Sequence, residues 1–255
     1  MASFCFTKIE CACFSITGSF RRHNEDNILF FRRCLKEEHG DMQNVLYDSI
    51  SSQNHAFFAV FDGMGGEQAG EKASYVAALK AHEYEDVNEW DEASLNDMIK
   101  KLNQEVCNER IKGRYSTIGT TVALMIYSDG ELYSVNVGDS PVIMMRNDKA
   151  EVLSKPHSEE KRIFPNGNRQ KVLTQFLGID EEEFVIEPHI SKKAVNKGDF
   201  FLACSDGLTD ALNIEEIEDI LSKNNSVVDA VRKLVETADK ISGKDNITAC
   251  LMQFS

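Results

Sequence analysis

The sequence predicts an α+β fold in which antiparallel sheets are covered by helices. Two observations favour this class: short apolar runs joined by tight-turn signals, and amphipathic stretches that come in pairs. A parallel sheet would instead be typical of single strands that alternate with helices. The 255 residues contain no internal repeat and no Pro- or Ser-rich linker. We therefore expect one compact domain over residues 1–255.

The first half of the chain predicts strands followed by two helices. A strand pair is expected over residues 3–8 and 11–17, and another strand over 27–33. HAFFAVFDG, residues 55–63, is an apolar run ending in Asp-Gly, which is typical of a buried strand that stops at a loop. Apolar residues then recur at helical spacing in two stretches, Ala69, Ala73, Val76 and Ala77, and Leu95, Met98, Ile99, Leu102 and Val106.

Two hairpins are expected next, each at a turn signal. TTVALMIY and ELYSVNV flank Ser-Asp-Gly at 128–130, and Asp-Gly readily adopts the positive φ angles that a tight turn requires. PVIMMR and AEVLS flank a second turn, Asn-Asp at 147–148. Three of the four prolines, Pro156, Pro165 and Pro188, fall in the segment that follows, which predicts loop or irregular structure there.

The last third of the chain repeats this mixture. DFFLACSDG, residues 199–207, predicts a second buried strand that ends in Asp-Gly. Asn213 and Glu216 have the spacing of a capping box at the start of a helix. The inward residues of that helix are Ile214, Ile217 and Leu221, and those of a second helix are Val227, Ala230, Val231, Leu234, Val235, Ala238 and Ile241. NITACLMQF, residues 246–254, closes as a strand.

Composition excludes several functional classes. Lys and Arg number 28 against 42 Asp and Glu, so the net charge of −14 repels nucleic acid and anionic membranes. There is no secretory pattern and no apolar run of membrane-spanning length, which predicts a cytoplasmic protein without either partner. Seven cysteines then indicate reduced, partly buried thiols. Cys11 and Cys13 could bind a metal, but no second ligand pair follows, so packing is favoured.

Acidic residues at predicted strand ends are the candidates for chemistry. They are Glu25 and Asp26 in RRHNEDN, Asp62 in FDGMGG, Asp206 in CSDG and Asp245 in GKDNIT. Carboxylate oxygens are the ligands that Mg²⁺ and Mn²⁺ prefer, and a cluster of them is unfavourable unless cations neutralise it. One Asp-Gly alone would indicate a β-turn. Two at the ends of apolar strands, beside the other two acidic motifs, indicate a divalent metal site.

These stretches occur in the order found in a known family. The motifs are GSFRRHNED (18–26), VFDGMGG (60–66), GTT (119–121), VGDS (137–140), LTQFLG (173–178), CSDGLTD (204–210) and GKDNIT (243–248). Together they resemble the metal-dependent protein serine/threonine phosphatases, type 2C, in their compact bacterial form. The resemblance implies a β-sandwich of two antiparallel sheets flanked on both sides by helix pairs, a four-layer α/β/β/α arrangement.

The resemblance also implies a centre of two Mn²⁺ or Mg²⁺ ions. Asp62 would bridge the ions and the Gly63 carbonyl would bind one of them. Asp206 and Asp245 would bind the other, while Glu25 and Asp26 would hold water ligands. Asp139 aligns with the carboxylate that binds a third, weaker ion in some members, and a plain turn aspartate is the alternative. Asn246 and Thr120 are expected to support the site.

The implied function is hydrolysis of phosphoserine and phosphothreonine on proteins by a water activated between the metals. Asp62 and Arg21 would be catalytic, and the planar guanidinium of Arg21 would bind the phosphate. The expected partners are phosphorylated proteins, substrates of a serine/threonine kinase, and the expected state is a monomer. No cysteine lies in a C-x5-R loop, which argues against a covalent phosphocysteine intermediate.

Some positions depart from the family pattern. Met64 stands where many members have a histidine proposed as proton donor, and methionine cannot donate a proton. His23, beside the NED motif, is a candidate acid, although a solvent-facing histidine is favoured. Pro141, Pro156 and a short segment before LTQFLG keep open a catalytically weak regulatory or phosphoprotein-binding member. A two-metal nuclease is disfavoured by the negative charge.

Overall fold

The computed structural model describes residues 6–64, 69–162, 169–224 and 226–255. Its strands, in chain order, are β1 (Lys8–Ile16), β2 (Asn27–Phe30), β3 (Leu46–Ser51), β4 (Ala56–Phe61), β5 (Gly63–Met64), β6 (Gly119–Thr120), β7 (Val122–Ser128), β8 (Glu131–Val137), β9 (Val142–Arg146), β10 (Lys149–Val152), β11 (Ser158–Arg162), β12 (Arg169–Leu173), β13 (His189–Ala194), β14 (Phe200–Cys204) and β15 (Ile247–Phe254). Its helices are α1 (Gly70–His82), α2 (Glu92–Gly113), α3 (Asp206–Thr209), α4 (Ile214–Lys223) and α5 (Val227–Ile241).

Two large antiparallel sheets form the centre of the fold. One has the strand order β10-β9-β14-β15-β1-β3 and the other β13-β8-β7-β4-β2, while β5–β6 and β11–β12 pair as two-stranded ribbons. Phe30, Phe58, Tyr127 and Phe254 are fully buried in a core that residues of both sheets share. Because the inner faces bury large aromatic side chains against each other, the sheets stack as a sandwich.

Helices cover both outer faces of the sandwich. Leu95, Met98 and Leu102 of α2 pack with α1 and the five-stranded sheet in a second apolar core. Leu221 of α4 and Leu234 of α5 pack with the six-stranded sheet in a third. The expected α+β class and four-layer α/β/β/α arrangement are therefore confirmed.

The turn and capping signals are confirmed residue by residue. Asp129 and Gly130 have φ angles of 49° and 81°, and Asn147 has 53°, as tight hairpin turns require. At the start of α4, the Asn213 side chain accepts a hydrogen bond from the Glu216 backbone N–H, and the Glu216 carboxylate accepts one from the Asn213 N–H. These local signals succeed because neighbouring residues alone decide the geometry.

Several strand expectations are wrong. The strand pair expected over 3–8 and 11–17 is one strand, β1, with residues 3–5 outside the described part of the chain. The Pro-containing segment expected to be irregular carries the β11–β12 hairpin, and β3 and β13 were not expected. Ile241, expected to face inward, is exposed at the end of α5. The unexpected strands β3, β11, β12 and β13 are rich in polar and charged residues, so no strong apolar pattern marks them.

The expected burial of the cysteines is confirmed for the residues described. Cys11 and Cys13 are free thiols, fully buried in the core between the sheets. They pack as small apolar side chains, as free cysteines commonly do. None of the helices in the described ranges is both long and apolar enough to cross a membrane.

Candidate active site

The carboxylates singled out in the sequence come together along one cleft of about 530 Å³. The cleft is lined by Arg21, Glu25, Asp62, Gly63, Met64, Thr121, Asp139, Lys171, Leu173, Asp206, Asp210 and Asp245. Asp26 is the expected site residue that does not line it, because its side chain is fully buried. The cleft thus gathers residues from all seven motifs and adds Lys171, which the sequence did not indicate.

Backbone contacts fix Asp62 where β4 ends. The Asp62 carbonyl accepts hydrogen bonds from the Thr120 hydroxyl and the Thr121 N–H, both at 2.9 Å. The Asp62 N–H donates to the Thr121 hydroxyl at 3.2 Å. Thr121 also contacts Ser140 at 2.6 Å between hydroxyl oxygens. The GTT motif (119–121) therefore holds the peptide units around Asp62, and Thr120 has the supporting position expected of it.

Gly63 lets two backbone segments approach Asp62 closely. A Cβ atom at this position would lie 2.4 Å from both the Glu25 and the Gly70 carbonyl oxygens, closer than any real contact. The Glu25 carbonyl also accepts a 2.6 Å hydrogen bond from the Ser74 hydroxyl at the start of α1. The absence of a side chain at Gly63 thus brings Glu25 beside Asp62.

A buried chain of hydrogen bonds ends at Asp26. The Asp26 Oδ2 atom accepts from the Ser205 hydroxyl at 2.8 Å and the Thr248 hydroxyl at 2.6 Å. Thr248 has one hydroxyl proton, which it gives to Asp26, so Ser15 must donate in their 2.7 Å contact. The Asn24 amide in turn donates to Ser15 at 3.0 Å. Two hydroxyl donors from the C-terminal part of the chain thus orient the Asp26 carboxylate, and Ser15 and Asn24 support the Thr248 donor.

The other oxygen of Asp26 is an unused acceptor. Among the described residues no hydrogen-bond partner contacts Asp26 Oδ1, although the atom is buried. Burial raises the pKa of Asp26 to about 7, even though the hydrogen bonds from Thr248 and Ser205 favour its charged form. A buried carboxylate oxygen without a partner is a position where a cation or an ordered water fits.

The carboxylates of the cleft repel one another. Burial raises the pKa of Asp62 well above its usual range, and the charges of Asp26 and Asp206 raise it further. Burial, followed by the charges of Asp139 and Asp210, raises the pKa of Asp206 to about 6. Burial also raises the pKa of Glu25. Such shifts mean that the folded chain favours a neutral cluster, or one neutralised by cations.

Two basic side chains neutralise part of the cluster. The Arg21 Nη2 donates to Asp245 Oδ2 at 2.8 Å, and its Nε donates to the Lys244 carbonyl at 3.1 Å. Lys171 Nζ lies 2.7 Å from Asp139 Oδ2 and 3.8 Å from Asp206 Oδ2. Burial opposes the charge of Lys171, but its contacts with Asp139 and Asp206 prevail and raise its pKa. Both side chains therefore carry positive charge into the cleft.

The donor set fits a hard divalent cation, although the side chains do not converge on one point. In the ranges that the structure describes, no group of three or more His, Cys, Asp or Glu side chains has the arrangement of a metal site. The fit rests on donor chemistry: carboxylate oxygens with raised pKa values, and the unpartnered Oδ1 of Asp26. The ligand roles expected for Glu25, Asp26, Asp62, Gly63, Asp139, Asp206 and Asp245 stay predictions.

Asn246 links the first acidic motif to the last. Its amide nitrogen donates to the Thr17 carbonyl at 2.7 Å and the His23 carbonyl at 2.9 Å. Its amide oxygen accepts from the Glu25 N–H at 2.8 Å. All the hydrogen-bonding groups of this side chain point into the protein, as expected for a residue that supports the site. The side chain of His23 is exposed and lines a neighbouring cavity of about 810 Å³.

Some residues that build the site were missed in the sequence. Ser205 and Thr248 lie inside recognised motifs, but nothing in their spacing shows that both bind Asp26. Lys171 lies in the segment expected to be irregular, just before the LTQFLG motif, and nothing in the sequence singled out its position. The Asp-Gly at Asp206, which alone would indicate a β-turn, instead starts the short helix α3.

Sequence comparisons relate this chain to known protein phosphatases. The family model described as protein phosphatase 2C matches residues 23–247. The chain is 25% identical over 232 residues to the protein phosphatase PhpP of Streptococcus pneumoniae. The matched part covers 84% of this chain and 92% of PhpP. It is 27% identical over 257 residues to the serine/threonine phosphatase stp of Listeria innocua, with 92% of each chain covered.

A solved structure extends the likeness to the whole fold. The catalytic domain of the serine/threonine protein phosphatase PstP, in complex with two manganese ions, superposes with a TM-score of 0.73. The identity is 23%, and the match covers 97% of this chain and 99% of that one, so it supports the fold alone. The family model, by contrast, spans most of the sequence and includes the acidic motifs from Glu25 to Asp245. The chain belongs to the protein phosphatase 2C family of hydrolases.

Proposed function

We propose that this chain hydrolyses phosphoserine and phosphothreonine monoesters on proteins at a centre that holds two Mn²⁺ or Mg²⁺ ions. The observation that carries the proposal is the cleft in which Asp62, Asp206 and Asp245 lie together beside Arg21. The relatives PhpP and stp are named as phosphatases, and the PstP structure holds two manganese ions, which supports both the reaction and the metal. The substrates would be products of a serine/threonine kinase.

The chain's acidic residues would hold the ions. Asp62, the Gly63 carbonyl, Asp206 and Asp245 would be direct ligands, and Glu25 and Asp26 would act through water. When bound, the ions supply a water nucleophile of near-neutral pKa and neutralise charge on the phosphoryl oxygens. The buried hydrogen bonds of Ser205 and Thr248 keep Asp26 oriented for this role.

Arg21 would bind the phosphoryl group at the cleft. Its side chain is 45% exposed, so a phosphorylated residue can reach it from solvent. The contacts with Asp245 and the Lys244 carbonyl hold the guanidinium in place and use only some of its N–H donors. The rest can donate to phosphoryl oxygens, where positive charge stabilises the transition state of phosphoryl transfer.

Metal dependence tests the proposed function directly. We expect the purified chain to hydrolyse a phosphothreonine peptide in Mn²⁺, to lose this activity in excess EDTA, and to regain it when Mn²⁺ is restored. The measurement is phosphate release in each condition. Full activity in excess chelator would contradict the two-metal proposal, while saturable peptide binding without phosphate release would favour the catalytically weak, phosphoprotein-binding alternative.

The leaving group distinguishes the sources of the proton. Met64 lines the cleft and cannot donate a proton, and His23 is exposed in the neighbouring cavity. General acid assistance typically contributes about 10²–10⁴-fold, so its absence should slow alkyl phosphates far more than aryl phosphates. We expect rates to rise steeply as the pKa of the leaving group falls.

His23→Ala should leave that dependence on the leaving group unchanged. The measurement is kcat/KM for a phosphothreonine peptide and for p-nitrophenyl phosphate, in the wild type and the variant. His39→Ala is the control, because His39 lines the same neighbouring cavity and matches no family motif. A selective loss on the phosphothreonine peptide in His23→Ala alone would identify His23 as the acid and contradict this expectation.

A further inference from the structure

The β11–β12 hairpin is tied to the backbone beside Asp139. The His157 N–H donates to the Gly138 carbonyl at 2.8 Å, and the Gly138 N–H donates to His157 Nδ1 at 3.2 Å. The Thr174 N–H donates to the His157 carbonyl at 2.8 Å, which joins the two ends of the hairpin. The base of the hairpin is thus fixed one residue away from Asp139, and β12 brings Lys171 into the cleft.

Lys171 places a cation between two carboxylates. Its Nζ lies 2.7 Å from Asp139 Oδ2 and 3.8 Å from Asp206 Oδ2. The Asp139 side chain is 7% exposed, so its charge has little water to solvate it and needs a partner. An ammonium group is a compact charge with several donors, which suits two oxygens on different side chains. The contact is therefore a specific one at the site rather than a solvated surface pair.

We propose that Lys171 takes the place of a third metal ion in this chain: its ammonium group binds Asp139 and Asp206 and excludes a divalent cation from the position between them. The inference rests on the proposed function, because Asp206 is also a ligand in the proposed two-ion centre. An ion and an ammonium group would compete for the same oxygens and repel each other at contact distance. Lys171 is thus a positioning residue that orients Asp139 and Asp206.

Metal stoichiometry tests this inference without relying on activity. Bound Mn²⁺ is measured by equilibrium dialysis and elemental analysis over a series of concentrations in the wild type and in Lys171→Met. We expect two ions in the wild type and three in Lys171→Met, with affinity for the third ion raised at least about tenfold. The double variant Lys171→Met/Asp139→Asn should return to two ions, because the third ion would lose its carboxylate.

A matched control lies on the same hairpin. Lys161 contacts Glu159 at 2.8 Å and does not line the cleft, so Lys161→Met removes an equivalent charge and should bind metal as the wild type does. Lys171→Gln is a second variant in case the methionine disturbs folding, which circular dichroism checks. Equal stoichiometry and affinity in the wild type and both Lys171 variants would overturn the inference and leave the proposed function intact. A wild type that binds no Mn²⁺ would overturn both.

Discussion

Asp62→Asn should lower kcat/KM for a phosphoserine peptide by at least about 10³-fold in saturating Mn²⁺. Metal ions contribute several kcal/mol of transition-state stabilisation, and each 1.4 kcal/mol or so changes the rate tenfold. An amide at this position removes the negative charge that would bridge the ions but keeps the shape of the side chain. The backbone contacts of Asp62 with Thr120 and Thr121 do not involve the carboxylate, so the fold should survive.

The same variant should be more stable than the wild type when metal is removed. The pKa of Asp62 is higher in the folded state than in the unfolded state. The contribution of this protonated carboxyl to the free energy of unfolding is therefore fully present at low pH and is lost as the pH rises through the folded-state pKa. Asparagine does not titrate, so at pH about 8 in EDTA the variant should have the higher Tm. Saturating Mn²⁺ should reverse the order, since metal binding stabilises the wild type more.

A control variant, Asp129→Asn, removes one negative charge at a position away from the cleft. Asp129 lies in the turn between β7 and β8, is exposed, and has a φ of 49° that asparagine also adopts. Asp129→Asn should change neither activity nor the Tm in EDTA. If Asp62→Asn kept its activity, or had a lower Tm than the wild type in EDTA, the role assigned to the cluster would be wrong.

Gly207→Ala should lower the free energy of unfolding by about 2–3 kcal/mol, because an added methyl group has no room. A Cβ at this position would lie 2.1 Å from the Asn246 carbonyl oxygen, which belongs to the backbone and cannot turn away. Relief of this clash must shift the segment that carries Asp245 and Asn246. We therefore also expect weaker Mn²⁺ binding in the variant.

Urea denaturation and Mn²⁺ titration measure the two effects. Gly40→Ala is the matched control: its Cβ would meet only the Thr17 hydroxyl at 3.9 Å, an ordinary contact. We expect its unfolding midpoint to stay close to that of the wild type. Equal midpoints for Gly207→Ala and Gly40→Ala would show that the backbone around Asn246 yields freely, contrary to the packing described.

The sequence could predict the parts of the fold that local chemistry decides. The turns at Asp129 and Asn147, the capping box at Asn213 and the apolar runs of β4 and β14 all depend on residues close in the chain. The strands β3, β11, β12 and β13 could not be predicted in this way. Their residues are largely polar or charged, so their pairing depends on a neighbouring strand rather than on a pattern of their own.

For the site, motif order predicted which carboxylates meet but not what surrounds them. Ser205 and Thr248 reach Asp26 across 179 and 222 residues of chain. The contact of Lys171 with Asp139 depends on the exact register of a hairpin between two charged strands. Such contacts follow from the assembled topology, which no single stretch of sequence contains.

The pairing of β1 with β15 has a consequence for the order of events during synthesis. Their register runs from Ile9 opposite Phe254 to Ile16 opposite Ile247, and both strands lie in the interior of the six-stranded sheet. During synthesis β3 can pair with one edge of β1 early, but the other edge of β1 has no partner until β15 has left the ribosome. Contacts of such long sequence separation fold slowly and leave strand edges open to other chains. Phosphatase activity would therefore appear only after the C-terminal strand β15 has emerged and paired with β1.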